Sequence, residues 1–160
     1  MPPHILVLGL GNMLLRDEGV GIYAIDRLVA KYRLPAEVET MDGGTLGLFL
    51  LPYLAGVTDL LIVDCVLTDR PPGTLVRLEG EAIPATLSMK MSVHQVGLQE
   101  LLVASRLQGS PPARVVVWGI EPDAIEPGLE VSPAVAARLD TLVDAVAQEL
   151  HDWGVAVKLA

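Results

Sequence analysis

Short aliphatic runs alternate along this chain with longer stretches in which apolar residues recur at helical spacing. The aliphatic runs predict β-strands at residues 5–8, 38–41, 60–63 and 115–118. The helical spacing predicts α-helices at about residues 17–32, 92–107 and 132–153. Strands that are apolar throughout, such as 5–8 and 60–63, are typical of a parallel sheet buried on both faces.

A fifth strand is predicted at residues 75–78, and its connection differs from the others. The turn at residues 69–73 precedes it, with no helical pattern between the turn and the strand. A parallel pair needs a crossover of about a dozen residues, so we expect this strand to run antiparallel at an edge. The pattern predicts a three-layer α/β sandwich, with helices on both faces of a five-stranded, mostly parallel sheet.

Polar residues at the expected helix starts support these boundaries. Caps are predicted at Asp17, Thr45, Ser92 and Ser132. Gln95 lies three residues after Ser92, which is the capping-box pattern. Gly154 is expected to end the last helix.

The uncharged segment at residues 43–58 is the most apolar part of the chain. A membrane-spanning helix needs about 20 apolar residues, and Pro52 interrupts this segment, so it predicts a buried helix with its flanks. No basic stretch precedes the first apolar run, and a signal peptide is not expected. The single cysteine, Cys65, rules out an internal disulfide and is typical of a reducing cytoplasm.

The 160 residues are enough for one domain, and no composition shift divides residues 1–160. The net charge is -9, from 11 basic and 20 acidic residues. A negative surface repels nucleic acid and anionic lipid, so neither is an expected partner. Cations, metal ions and proteins remain possible ligands.

Glu18, Asp64 and His94 are the candidate functional residues. Asp64 follows the strand at 60–63, while Glu18 and His94 lie at the starts of predicted helices. In an open α/β sheet these positions meet at the crevice where ligands bind. Two carboxylates and one imidazole suit a divalent metal of intermediate hardness.

Each of the three also has a structural interpretation, and the residues alone leave both open. Glu18 in a first helical turn stabilises the helix dipole. Asp64 can form a turn or a cap, although an unpaired charge in its apolar surroundings would be costly. His94 can be a hydrogen-bonded histidine in a partly buried turn, but a helix N-terminus favours the neutral imidazole that binds metal.

Two other motifs favour structural roles. Gly9 and Gly11 follow a strand as in a dinucleotide-binding loop, but the third glycine of that fingerprint is replaced by Leu14. Cys65 follows Asp64 directly, and side chains alternate across a strand. If Asp64 faces the crevice, Cys65 faces a helix layer as a small core residue, not as a nucleophile.

Taken in order, the motifs of this chain resemble those of the NiFe-hydrogenase maturation endopeptidases. They are residues 9–21 (GLGNMLLRDEGVG), 42–45 (DGGT), the strand that ends in Asp64, residues 94–97 (HQVG) and residues 119–122 (GIEP). The resemblance covers nearly the whole chain. It implies a five-stranded twisted sheet between helices, as the pattern above predicts.

The resemblance also implies an activity. Members of the family remove a C-terminal extension from the precursor of the NiFe-hydrogenase large subunit once nickel has been inserted. By this resemblance Glu18, Asp64 and His94 contact nickel carried by the substrate, so nickel is not a resident cofactor. Asp64 and Asp42 are the candidate catalytic residues, and the attacking water is activated by the metal, by Asp64 or by Asp42. The implied protein is a cytoplasmic, aspartic- or metallo-type peptidase.

Two other functions remain as alternatives. A nickel-binding maturation chaperone without hydrolytic activity would use the same three ligands. A small-molecule phosphorylase-like enzyme on a related sandwich would need an anion site, which the sequence does not show.

Overall fold

The computed structural model describes residues 2–87 and 93–160, apart from the side chains of residues 87, 93 and 94. Its strands are β1 (Ile5–Leu10), β2 (Tyr32–Arg33), β3 (Val38–Gly44), β4 (Asp59–Cys65), β5 (Leu75–Glu79), β6 (Arg114–Ile120) and β7 (Lys158–Leu159). Its α-helices are α1 (Val20–Lys31), α2 (Ala82–Leu87), α3 (Val93–Leu107), α4 (Pro133–Ala136) and α5 (Leu139–Asp152). Shorter 3₁₀ helices span Arg16–Gly19 and Gly47–Leu54.

The main sheet has five strands in the order β3-β1-β4-β6-β5. The first three neighbouring pairs are parallel, and β5 pairs antiparallel with β6 at the edge. The predicted sheet and its antiparallel edge strand are therefore confirmed. Because β1, β3, β4 and β6 are parallel, they all end at one side of the sheet, which we call the carboxyl edge.

Helices cover both faces of this sheet, as predicted, and strand alternation decides which residues meet which layer. On β4, Leu61, Val63 and Cys65 belong to the core cluster that α1 and α5 complete. Leu60 and Ile62 belong to the opposite cluster, which the 3₁₀ helix Gly47–Leu54 and α3 complete. The alternation assigns Asp64 to the face of Leu60 and Ile62.

The first helix begins later than the sequence predicts. Residues 16–19 form a 3₁₀ turn, and α1 starts at Val20 with Gly19 at its N-cap position and no side-chain cap. The prediction that Asp17 caps this helix is wrong. Its carboxylate accepts hydrogen bonds from a distant loop instead.

The last predicted helix is two helices. α4 ends at Ala136 and α5 begins at Leu139, and the Ser132 side chain makes no cap bond to α4. Ser132 occupies the predicted N-cap position of α4, but its hydroxyl donates to Asp17 instead of to the helix. Gly154 follows α5 with a φ of 87°, the left-handed conformation expected at a helix end.

A buried carboxylate on α5 joins that helix to the sheet. Glu149 accepts hydrogen bonds from Arg77 Nε at 2.6 Å and Nη2 at 3.0 Å. The indole N–H groups of Trp118 and Trp153 donate to the same carboxylate at 2.8 and 2.9 Å. The hydrogen bonds from Arg77, partly offset by burial, hold the pKa of Glu149 below its ordinary value.

Three elements of the structure were not predicted. α2 follows β5, and β2 and β7 form a separate antiparallel pair. Two-residue strands are too short to show a period of two, so no sequence pattern indicates them. Among the described residues, no helix is long and apolar enough to cross a membrane.

Candidate active site at the carboxyl edge of the sheet

Asp64 is the penultimate residue of β4 and is 1 % exposed. It lies in register with Gly119 of β6, so its side chain has a glycine beside it on that strand. Its Oδ1 atom accepts a hydrogen bond from the Cys65 backbone N–H at 2.7 Å. A buried carboxylate at the end of a parallel strand lies where α/β sheets bind their ligands.

Glu18 lies on the 3₁₀ turn before α1 and is 6 % exposed. Glycines allow the chain to pack closely around it. A Cβ atom on Gly11 would collide with the Glu18 carbonyl oxygen, and one on Gly21 would collide with the carbonyl oxygens of Leu10 and Val63. These glycines of the 9–21 motif therefore serve backbone packing, which holds the Glu18 turn against the ends of β1 and β4.

Asp17, the neighbour of Glu18, is completely buried and anchors a loop from the other end of the chain. Its Oδ2 atom accepts hydrogen bonds from the backbone N–H groups of Asp123 at 2.9 Å and Ala124 at 2.8 Å. Ser132 donates through its N–H at 2.6 Å and its hydroxyl at 2.7 Å. Burial alone would raise the pKa of Asp17, but these bonds outweigh it and the pKa lies below its ordinary value.

Cys65 faces away from Asp64, as predicted. It is 2 % exposed and packs in the cluster formed with α1 and α5. Burial raises the pKa of its thiol well above the ordinary value, and the negative charges of Asp64 and Glu18 raise it further. A thiol in this environment stays protonated and is a poor nucleophile.

The backbone of His94 is the second residue of α3, whereas its side chain lies outside the described residues. The next residue, Gln95, is 2 % exposed and donates from Nε2 to the carbonyl oxygen of Cys65 at 2.9 Å. The start of α3 therefore lies against the end of β4. Ser92, the predicted capping residue, also lies outside the described residues.

The three predicted ligands thus lie on elements that meet at the carboxyl edge. Among the side chains that the structure describes, no group of three or more His, Cys, Asp or Glu residues is arranged to hold a metal ion. Since the His94 side chain is not among them, the metal site stays a prediction.

Asp42 differs from Asp64 in burial and in orientation. It is exposed near the end of β3, and its Oδ1 atom accepts the Gly44 backbone N–H at 2.9 Å. Asp42 lies in register with Gly9, which lies in register with Val63. Strand alternation therefore assigns Asp42 and Asp64 to opposite faces of the sheet. A catalytic role for Asp42 stays a prediction. Asp42 would act from an exposed position near the end of β3.

In the sequence Glu121 is only part of the motif at residues 119–122, and the structure gives it a contact beside β4. It is 3 % exposed, and its carboxylate accepts the Thr68 backbone N–H at 2.8 Å and the Thr68 hydroxyl at 2.7 Å. Thr68 belongs to the loop that follows β4. No local sequence signal pairs residues 53 positions apart.

Exposed apolar side chains lie on the 3₁₀ helix that follows β3, which corrects the prediction of a buried helix at residues 43–58. Only Leu50 and Leu54 of the 3₁₀ helix are buried, whereas Leu48 is 46 % and Phe49 is 81 % exposed. This helix begins at Gly47 without a side-chain cap, so the predicted cap at Thr45 is wrong. Leu48 lines an open, mostly apolar groove together with Val96, Val103, Ala104 and Leu107 of α3.

Residues 22–149 match the model of the hydrogenase maturation protease family. The chain belongs to this family. It is 38 % identical over 153 residues to the hydrogenase 2 maturation protease of Escherichia coli, covering 95 % of this chain and 93 % of that one. It is 39 % identical over 158 residues to the hydrogenase expression/formation protein HupD of Rhodobacter capsulatus, covering 98 % and 75 % of the two chains.

The fold of this maturation protease also matches a solved relative. The hydrogenase maturating endopeptidase HybD of E. coli superposes with a TM-score of 0.93 at 37 % identity, over 98 % of this chain and 97 % of that chain. The family resemblance and the predicted fold are confirmed. The protein is a peptidase of the hydrogenase maturation type, which decides against a non-hydrolytic chaperone.

Proposed function

We propose that this protein cuts a C-terminal extension from the nickel-loaded precursor of a NiFe-hydrogenase large subunit in the cytoplasm. Family membership supports the hydrogenase substrate, since relatives are named as hydrogenase maturation proteases. The observation that carries the proposal is the pair of buried carboxylates, Glu18 and Asp64, on elements that meet at one edge of the sheet.

The make-up of the predicted site supports recognition of substrate nickel by Glu18, Asp64 and His94. Two carboxylates and one imidazole, with no thiolate among them, hold a divalent ion only modestly, whereas structural zinc sites commonly use four N or S ligands. Such a weak open site completes the coordination of a nickel ion that the precursor already holds. Only a precursor into which nickel has already been inserted would then dock on the protease.

Hydrolysis requires a water molecule held near the scissile bond. Asp64 is a buried carboxylate and a member of the proposed ligand set. The nickel ion itself, Asp64 or Asp42 activates the water. Without the bridging nickel the scissile bond is not held in place, and positioning of this kind provides much of an enzyme's rate.

The exposed apolar residues beside the carboxyl edge support a protein substrate. Exposed apolar patches next to a functional site commonly mark protein-binding surfaces. Phe49 and Leu48 on the 3₁₀ helix, with Val96 on α3, are the large apolar side chains that we expect the precursor to contact.

The test compares nickel-free and nickel-loaded precursor with enzyme stripped of metal beforehand, with products weighed by mass spectrometry. We expect cleavage of the nickel-loaded form only. Glu18→Gln, Asp64→Asn and His94→Ala are expected to abolish cleavage because a site with two of three ligands binds far more weakly. Equal cleavage of both precursor forms, or activity that returns only when metal is added to the enzyme, would contradict nickel bridging.

An Asp42→Asn variant separates the candidate water-activating groups. If Asp42 activates the water, kcat falls while binding of the nickel-loaded precursor is unchanged. If Asp42 only forms its turn with Gly44, the variant cleaves at a near-normal rate, since an asparagine Oδ1 also accepts that bond.

A further inference from the structure

The peptide groups on either side of Cys65 are held by two different side chains. The N–H of Cys65 donates to Asp64 Oδ1 at 2.7 Å, and its carbonyl oxygen accepts from Gln95 Nε2 at 2.9 Å. Gln95 is 2 % exposed. Both bonds are buried, so water does not compete for them and the loss of either partner would leave a polar group unsatisfied.

This arrangement joins the neighbours of two proposed nickel ligands. Cys65 directly follows Asp64 at the end of β4, and Gln95 directly follows His94 at the start of α3. The Gln95–Cys65 hydrogen bond therefore links the start of α3 to the end of β4.

We infer that Gln95 is a positioning residue for the nickel site, one that fixes the start of α3, and with it His94, relative to Asp64. The inference rests on the proposed function, because it assigns Gln95 to the same nickel contact. Glutamine suits this role chemically. A carbonyl oxygen needs a donor, and an uncharged amide supplies one in the core without the desolvation cost of a buried charge.

A second contact holds the same end of α3 from another side. A Cβ atom on Gly97 would lie 3.0 Å from the Cα atom of Gly47, which begins the 3₁₀ helix after β3. The backbones of the two helices therefore touch near the carboxyl edge. With the Gln95 bond on one side and this contact on the other, the first turn of α3 has little freedom to shift.

The experiment measures nickel affinity by titrating Ni²⁺ into the purified, metal-free protein by calorimetry. Gln95→Met keeps the length of the side chain and removes its donor. We expect its affinity for nickel to fall about 10- to 100-fold, as is typical when a group that orients a metal ligand is removed. Cleavage of nickel-loaded precursor is expected to fall in parallel.

The matched control is Val146→Ala, which removes buried volume from α5 on the other side of the sheet. It lowers thermal stability as a core truncation does, on the face of the sheet opposite to α3. We expect its nickel affinity to equal that of the wild type. If Val146→Ala loses as much nickel affinity as Gln95→Met at a comparable Tm, the effect is general destabilisation and the inference is overturned.

Gly97→Ala provides a second variant in case Gln95→Met fails to fold. Alanine favours helix more than glycine does, so the variant is expected to fold. The added methyl group pushes α3 away from Gly47. Because the methyl group meets a backbone atom at 3.0 Å, we expect a lower Tm and nickel binding weaker than that of Val146→Ala at a comparable Tm. Nickel binding equal to that of the wild type would overturn the inference.

His94→Ala separates a failure of this inference from a failure of the proposed function. If the wild type binds nickel no more tightly than His94→Ala, the nickel contact itself is wrong and both proposals fall. If His94→Ala weakens binding while Gln95→Met binds as the wild type does, only the positioning role of Gln95 is overturned.

Discussion

Asp17 and Ser132 are joined by two short hydrogen bonds, from the Ser132 N–H to Oδ1 at 2.6 Å and from the Ser132 hydroxyl to Oδ2 at 2.7 Å. The two residues are 115 positions apart in sequence. Asp17 precedes Glu18, so these bonds tie one proposed ligand to the segment that leads into α4.

Asp17→Asn is expected to lower the free energy of unfolding by about 1.5–3 kcal/mol, the range for hydrogen bonds to charged groups. In asparagine an amide nitrogen replaces one carboxylate oxygen. This nitrogen cannot accept the hydrogen bonds that the surrounding N–H groups donate. Urea denaturation of the variant measures the loss. Asp26→Asn on the exposed face of α1 is the control and should change stability by less than about 0.5 kcal/mol. Equal stability of the two variants would contradict the anchoring role of Asp17.

Stability should fall in acid because of Asp17 and Glu149. Both groups have a pKa lowered in the folded protein. The unfolded chain therefore binds more protons in the acid range, so their contribution is present above the ordinary carboxyl pKa of about 4 and is lost as pH falls through the lowered values. Thermal melts between neutral pH and about pH 2 measure this loss. Asp17→Asn should flatten the curve, and an unchanged slope would contradict the assignment.

Glu149→Ala is expected to alter both the stability and the fluorescence of the protein. The chain has two tryptophans, Trp118 and Trp153, and both donate to Glu149. Removing the carboxylate leaves two indole N–H groups and the Nε and Nη2 groups of Arg77 without their acceptor, while Arg77 Nη1 keeps Glu79, and the cost is about 3 kcal/mol. Tryptophan emission and Tm should both shift, while nickel affinity stays unchanged. Emission identical to that of the wild type would contradict these contacts.

Cys65→Ser should cleave precursor at close to the wild-type rate. The thiol lies on the face of α1 and α5, away from Asp64, and its pKa is raised well above the ordinary value. The hydroxyl group places a polar atom in an apolar layer, so stability should fall by about 1–3 kcal/mol. A companion experiment treats the folded wild type with iodoacetamide. We expect slow alkylation of Cys65. A well-folded but inactive Cys65→Ser variant would restore the thiol as a candidate nucleophile.

Phe49→Ser should weaken precursor binding without changing the fold. Phe49 is 81 % exposed, so its removal should alter stability by less than about 0.5 kcal/mol. If it contacts the precursor, its loss should raise KM by roughly 10-fold, since aromatic residues often dominate protein interfaces. Val29→Ser is the control because Val29 is 48 % exposed near the far end of α1. Equal KM values for the two variants would exclude a contact at Phe49.

The strands and the antiparallel edge could be predicted from the sequence because their signals are local. Runs such as 60–63 are apolar throughout, and the short turn before β5 leaves no room for a crossover. The boundaries of the helices were less accurate. Asp17, Thr45 and Ser132 all have the residue types of caps, but none of them caps a helix through its side chain. A residue type indicates that a hydrogen bond will form, not which backbone group will be its partner.

The sequence by itself determined the α/β alternation, the family and the positions of Glu18, Asp64 and His94 at strand ends and helix starts. These depend on residue type, spacing and order, which are properties of the chain alone. Only the tertiary structure decided that Asp17 holds the segment before α4, that Gln95 holds the end of β4 and that Phe49 is exposed. Such contacts join residues from distant parts of the sequence, and burial depends on which neighbours the fold brings against a side chain.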